Sequence, residues 1–294
     1  MKKYNIMEKF EYTPILGGRT DGITRRDPSP VIKVNDTFFV WYTRTTETFD
    51  GYTGSIWYAT SKDGIKWEEQ KEAISKGYKG SFDEQAVFTP SILISNGKYY
   101  MSYTAVPKPF INEGPNITKT VIGMAIAQSP HGPWEKLCQP ILRTSNDPNE
   151  FDSLRIDDTC FIHREDKYYM YYKGRQIDHT PKETKMGVAI ANKPEGPYIR
   201  YDNNPVLDSG HEVCVWPNSG GVYSLVCDVG PQGNTLQFSQ DGYNFKKIES
   251  IIPPKAPGPY REDHFISGKE TNGRWGISMS GEDGWPYLFR YEAK

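Results

Sequence analysis

One pattern recurs five times along this chain and limits what it can fold into: a two-residue turn followed by a strand crowded with aromatic and β-branched side chains. The turns are Asn35-Asp36, Asn96-Gly97, Glu165-Asp166, Ser219-Gly220 and Asn272-Gly273, and the strands they open are 38–43, 99–104, 168–173, 222–227 and 275–280. Such residue pairs close β-hairpins. Recurrence at intervals of about forty to sixty residues points to a propeller or another repeat array.

A third strand running into a second turn follows in most units, as in Ser61-Lys62-Asp63-Gly64, Ser129-Pro130-His131-Gly132, Lys193-Pro194-Glu195-Gly196 and Ser239-Gln240-Asp241-Gly242. Each unit is then a four-stranded meander, which is one propeller blade. The last unit stops short at 287–291, so the segment around Phe10-Glu11-Tyr12-Thr13-Pro14 is expected to complete it. The expected fold is an all-β, five-bladed β-propeller forming a single domain over residues 1–294. A β-sandwich with a second small domain would leave the repeat unexplained. Composition agrees: 20 Tyr and 7 Trp suit strands, while 27 Gly and 22 Pro supply turns.

A net charge of -2 and a pI near 6.2 carry no polyanion-binding signature, so nucleic acid is not an expected partner. Cys138, Cys160, Cys214 and Cys227 contain no Cys-x-x-Cys pair and read as buried free thiols. The N-terminus is charged where a signal peptide would be apolar, and no run approaches a membrane span; the expectation is a cytoplasmic protein away from the membrane.

The polar residue that opens each blade carries the chemical information. Sixteen residues before Thr43, Lys173, Cys227 and Ser280 stand Asp27, Asp157, His211 and His264; in the second unit, fifteen before Thr104, stands Thr89. First strands line a propeller's channel, so these five should converge at one mouth. Two carboxylates and an imidazole in one pocket can activate water and protonate a departing glycosidic oxygen. Asp158 rivals Asp157, but the count and the Asp-x-x-x-Phe spacing favour Asp157. Glu212 rivals His211, and the count with strand alternation favours the histidine.

Arg26-Asp27-Pro28-Ser29 and Ile156-Asp157-Asp158-Thr159 resemble the five-bladed arabinanase- and xylosidase-type hydrolases. With Phe82-Asp83-Glu84-Gln85, Ser209-Gly210-His211-Glu212 and Asn234-Thr235-Leu236-Gln237, the chain is similar to glycoside hydrolase family 117. That resemblance implies an inverting, exo-acting α-1,3-(3,6-anhydro-L-galactosidase) working on bacterial neoagaro-oligosaccharide breakdown, with Asp27 as base, Asp157 as pKa-tuning aspartate and His211 as acid. An arabinofuranosidase, a galactosidase and a non-catalytic carbohydrate-binding propeller are the alternatives. Family members exchange a helical N-terminal arm between subunits, whereas only a short segment precedes Asp27 here, so the chain is expected as a monomer or a homodimer.

Arg25, Gln85, Thr89, Arg155, Lys173, Arg175, Glu212 and Trp216 are the candidate substrate contacts, Trp216 as a stacking platform or a core residue. No cofactor is required. The resemblance to arabinanases suggests that His264 holds a structural water or a calcium or sodium ion on the axis.

Overall fold

The computed structural model describes residues 10–47, 51–114, 116–218, 220–227, 229–262, 265, 273–281 and 283–294. Five antiparallel sheets follow one another along the chain, and each is a meander. Blade one runs from Thr24–Arg26 through Ile32–Val34, Thr37–Thr45 and Ser55–Ser61 to Trp67–Ile74. Blade two is built on Ala86–Ser95, Lys98–Val106 and Val121–Ala127, blade three on Arg155–Arg164, Lys167–Arg175 and Lys185–Ala191, and blade four on Val213–Asn218, Gly221–Val226 and Thr235–Ser239. Among the described residues there is no α-helix, only a 3-10 turn at Pro181–Glu183.

Blade five is closed by the start of the chain. Phe10–Pro14 pairs antiparallel with Leu288–Ala293, which pairs with Trp275–Met279 and then Gly258–Pro259. This N-terminal strand is the expected one, and it joins the two ends of the chain within one sheet. Between blades five and one the backbones come close enough to pair: Val31 donates to the Pro259 carbonyl and Arg261 to the Val31 carbonyl. A Cβ on Gly258 would stand 2.0 Å from the Ser29 carbonyl oxygen, so only glycine fits at this seam.

The hairpin turns act as their residues dictate. Asn96-Gly97 and Glu165-Asp166 take positive φ at both positions, matching the right-handed twist of the flanking strands. The Ser-x-Asp-Gly turns of blades one and four are held by their aspartates, Asp63 accepting from the backbone N–H of Ile65 and Lys66 and Asp241 from those of Tyr243 and Asn244.

Aromatic residues of the second strands fill the space between blades. Trp41, Tyr103 and Tyr172 are fully buried, and Phe39 stacks on Trp41 with centroids 5.9 Å apart. Polar side chains stitch adjacent blades as well: Ser102 meets Thr159 at 2.6 Å, and Tyr58 Oη meets His131 Nδ1 at 3.1 Å. Truncating Trp41 to alanine should cost about 3–5 kcal/mol, since the cavity it leaves lies between rigid sheets.

Candidate active site

The mouth-side starts of the axial strands share a backbone feature that fixes the site. In blade one the pairing Arg26 with Thr43 is followed by an irregularity before Ile32 pairs with Phe39; in blade two Phe88–Thr104 pairing resumes at Ser91–Ser102; in blade three Asp157–Lys173 resumes at Cys160–Tyr171. The residue just after the break is at positive φ each time: Asp27 at 49°, Thr89 at 47° and Asp158 at 48°. A bulge of this kind bends the strand and re-aims one side chain.

The residue that matches Asp27 in blade three is therefore Asp158, and Asp157 is the register partner of Lys173. The count of sixteen selects Asp157, one residue earlier. The reason is a count of inserted residues: blade one carries two more on its first strand than its partner across the bulge, while blades two and three carry one. The spacing of sixteen found in blade one is one too long in blade three.

The same one-residue offset separates the count from the cavity lining in blade four, where the strand is regular from Val213 to Asn218. Glu212, opposite Cys227, lines the chamber, and His211 does not. His211 is half-buried at the rim, its Nδ1 3.2 Å from the Pro181 carbonyl oxygen. In blade five the chamber is lined by Ala256, at φ 44° and followed by proline as Asp27 and Thr89 are. His264 lies outside the described residues.

The resulting chamber, about 40 Å³, is walled by Asp27, Thr89, Asp158, Glu212 and Ala256, with Pro28, Pro90 and Pro257 behind them. It has room for an ordered water, and its walls are polar enough to hold one. Asp27 is paired with Arg26, whose other nitrogen is fixed by the carbonyls of Gly51 and Thr53 at 3.1 Å each. Asp158 Oδ2 lies 2.5 Å from Lys173 Nζ, and Asp157 Oδ1 lies 3.0 Å from the same nitrogen. One ammonium thus serves two carboxylates. Burial, then the negative charges of Asp157 and Asp27, push the Asp158 carboxyl up to about 8 against the pull of Lys173. Burial alone would lower Lys173, but the two aspartates outweigh it and hold the ammonium charged.

Glu212 Oε2 accepts from the Ala256 N–H at 2.5 Å and from the Cys227 thiol at 3.2 Å. Burial raises its carboxyl above the usual range, with Asp27 adding to the shift and the two hydrogen bonds opposing it. A carboxyl raised in this way beside a second carboxylate is the arrangement from which an acid–base pair is built.

The other expected contacts separate into groups. Thr89 lines the chamber and hydrogen-bonds Thr104. Arg25 is turned into its own sheet, bonded to Glu69 at 2.7 Å, away from the chamber. Gln85 is half-buried in the loop ahead of blade two, its N–H on the Val106 carbonyl, and does not line the chamber. Trp216 is 6% exposed and stacks on Tyr223 within blade four, which makes it a core residue. Arg155 and Arg175 lie buried at the mouth end of blade three. Among the described residues no group of three or more His, Cys, Asp or Glu side chains forms a metal site, and no helix is long and apolar enough to cross a membrane.

A five-bladed propeller whose chamber gathers an aspartate, a second raised aspartate and a raised glutamate is the architecture of a glycoside hydrolase. Residues 22–159 match the model of glycosyl hydrolases family 43. Zg3597, a family 117 glycoside hydrolase produced by the marine bacterium Zobellia galactanivorans, is 30% identical, with 98% of this chain and 90% of that one aligned at a TM-score of 0.85. The chain belongs to glycoside hydrolase family 117. The fold alone is shared with a second glycoside hydrolase, at 15% identity, TM-score 0.69 and coverage of 98% and 92%. It is shared too with a GH43_1 enzyme from Xanthomonas citri, at 14% identity, TM-score 0.56 and coverage of 95% and 84%. No curated protein matches the chain.

Proposed function

We propose that this hydrolase is an exo-acting, inverting enzyme that releases a terminal 3,6-anhydro-L-galactose, or a closely related sugar, from algal-type oligosaccharides. The single observation that carries the acid–base assignment is the convergence of Asp27, Asp158 and Glu212 on one water-sized chamber. The kinship with family 117 supports the choice of sugar.

In this reading Asp27 takes a proton from the water that attacks the anomeric carbon. The glycosidic C–O bond breaks as the water oxygen bonds, and Glu212 gives its proton to the departing oxygen, so the sugar leaves with inverted configuration. Inversion requires base and acid about 6.5–9.5 Å apart, leaving space for that water. Asp158, largely protonated below its raised pKa, donates a hydrogen bond to a sugar hydroxyl and keeps a second full negative charge out of the site.

A second reading, a pentosidase of the arabinofuranosidase or xylosidase kind, is favoured by the match to family 43. Incubating the protein with neoagarobiose and with aryl arabinofuranosides and xylosides, and following the first-formed anomer by proton NMR, separates the two. Release of anhydrogalactose with inversion is expected. Turnover of the pentosides alone would select the second reading, and a first product of retained configuration would remove the water-activating role of Asp27.

A further inference from the structure

Blade three sets two arginines directly opposite one another at the mouth end of its first two strands. Arg155 and Arg175 are register partners and are 1% and 8% exposed. Like charges facing each other across a strand pair repel, and a buried guanidinium without a counter-charge is costly.

The acceptors around Arg155 are all neutral: Tyr52 Oη at 3.3 Å, Asn112 Oδ1 at 3.0 Å and the carbonyls of Thr118 and Leu154. Its guanidinium also lies over the rings of Tyr52 and Phe110. Arg155 is thereby fixed as a post that ties loops of blades one and two to blade three. Arg175 has less. Among the described residues no acceptor meets its guanidinium, and its Nε is shielded from solvent without a partner. Asp157, which Arg155 senses, and Asp158 are both engaged by Lys173. Lys173 thus takes up both nearby carboxylates, and among the described residues neither arginine is ion-paired with one.

Position gives this excess charge a use. Residues two apart on a strand share a face, so Arg175 stands on the side of the sheet that carries Lys173. The loops that meet Arg155 follow the second strands of their blades and lie at the same end as Asp27 and Asp158. At ~3.3 Å per residue Arg155 is about 10 Å along its strand from Asp158, a length that a disaccharide spans.

We propose that Arg175, backed by Arg155, forms an anion subsite that receives a carboxylate or sulfate ester on the sugar beyond the scissile bond, so that the natural oligosaccharide is acidic. A guanidinium fork matches either group with two parallel hydrogen bonds. The placement beyond the scissile bond rests on the proposed exo action; the anion site itself does not.

The test is calorimetric titration of the full chain with galactose, galactose 6-sulfate and galacturonate, repeated with Arg175→Gln and Arg175→Lys after a melting curve has verified the fold of each. One anionic sugar should bind roughly ten- to a hundredfold tighter than galactose, as a charge-assisted contact predicts. That preference should fall to within about twofold in Arg175→Gln and survive in part in Arg175→Lys. Tighter binding of the sulfate identifies a sulfate ester, and of galacturonate a uronate. Equal binding of all three sugars, no binding of any, or a preference that persists in Arg175→Gln overturns the proposal. Binding is read without turnover, so failure to release anhydrogalactose would count against the proposed function only.

Discussion

Blades one and three present the same residue on the same backbone feature, an aspartate at φ 49° or 48° after a bulge, yet surround it differently. Asp27 has a cation of its own in Arg26, which two carbonyls lock in place. Asp158 is pushed up to about 8 first by burial and then by the charges of Asp157 and Asp27, and it shares Lys173 with Asp157. Repetition supplies the geometry, and the side chains behind each bulge set the charge. A propeller can in this way surround two aspartates on near-identical strands with different charges.

The most severe way to break the contrast is Asp27→Asn, which keeps the shape but removes the base. Turnover should fall by roughly 10²–10⁴ on a confirmed substrate. Retention of near wild-type turnover would sink the assignment. Next in size is Glu212→Gln, with an expected loss of about 10²–10³ on substrates with a poor leaving group and partial recovery on activated aryl glycosides that need no proton. His211→Ala should cost less than Glu212→Gln; the reverse order would return the acid role to the rim histidine. Because Glu212 must be protonated to act and its pKa is raised, activity should decline on the alkaline side as pH climbs through that raised value.

A smaller effect sharpens the comparison itself. Asp158→Asn imitates the protonated acid, so it should lower turnover by about tenfold and erase any step in the pH–rate profile near 8, while Asp157→Asn keeps a step but moves it to lower pH, because the charge of Asp157 helps to raise Asp158. Equal profiles for the two variants would mean that the bulge does not distinguish the neighbours. The least effect is on stability. A carboxyl whose folded pKa lies above its unfolded value of about 3.9 binds its proton more tightly when folded. Its contribution is therefore complete below about pH 4 and is lost as pH rises toward 8. Urea midpoints measured from about pH 4 to 9 should fall less steeply for Asp158→Asn than for the parent.

The local devices of this fold are readable in its residues. Turn pairs such as Asn96-Gly97, the aromatic second strands and the Ser-x-Asp-Gly turns each act within a few residues, so the number of blades follows, and Phe10–Pro14 is the strand left over for the incomplete fifth sheet. Asp27 and Thr89 are legible for the same reason. A further signal lies in the prolines: Asp27-Pro28, Thr89-Pro90 and Ala256-Pro257 share one directly after the positive-φ residue, and following it in blade five leads to Ala256.

The repeat, the closure of the ring and the blades that send acidic side chains to one mouth are thus written in the residues themselves, because periodicity and turn chemistry are local. The choice between Asp157 and Asp158, and between His211 and Glu212, belongs to the folded molecule. A side chain changes face with every residue added, and the number of residues inserted at each bulge is set by how neighbouring strands pair and not by the spacing of the residues along the chain.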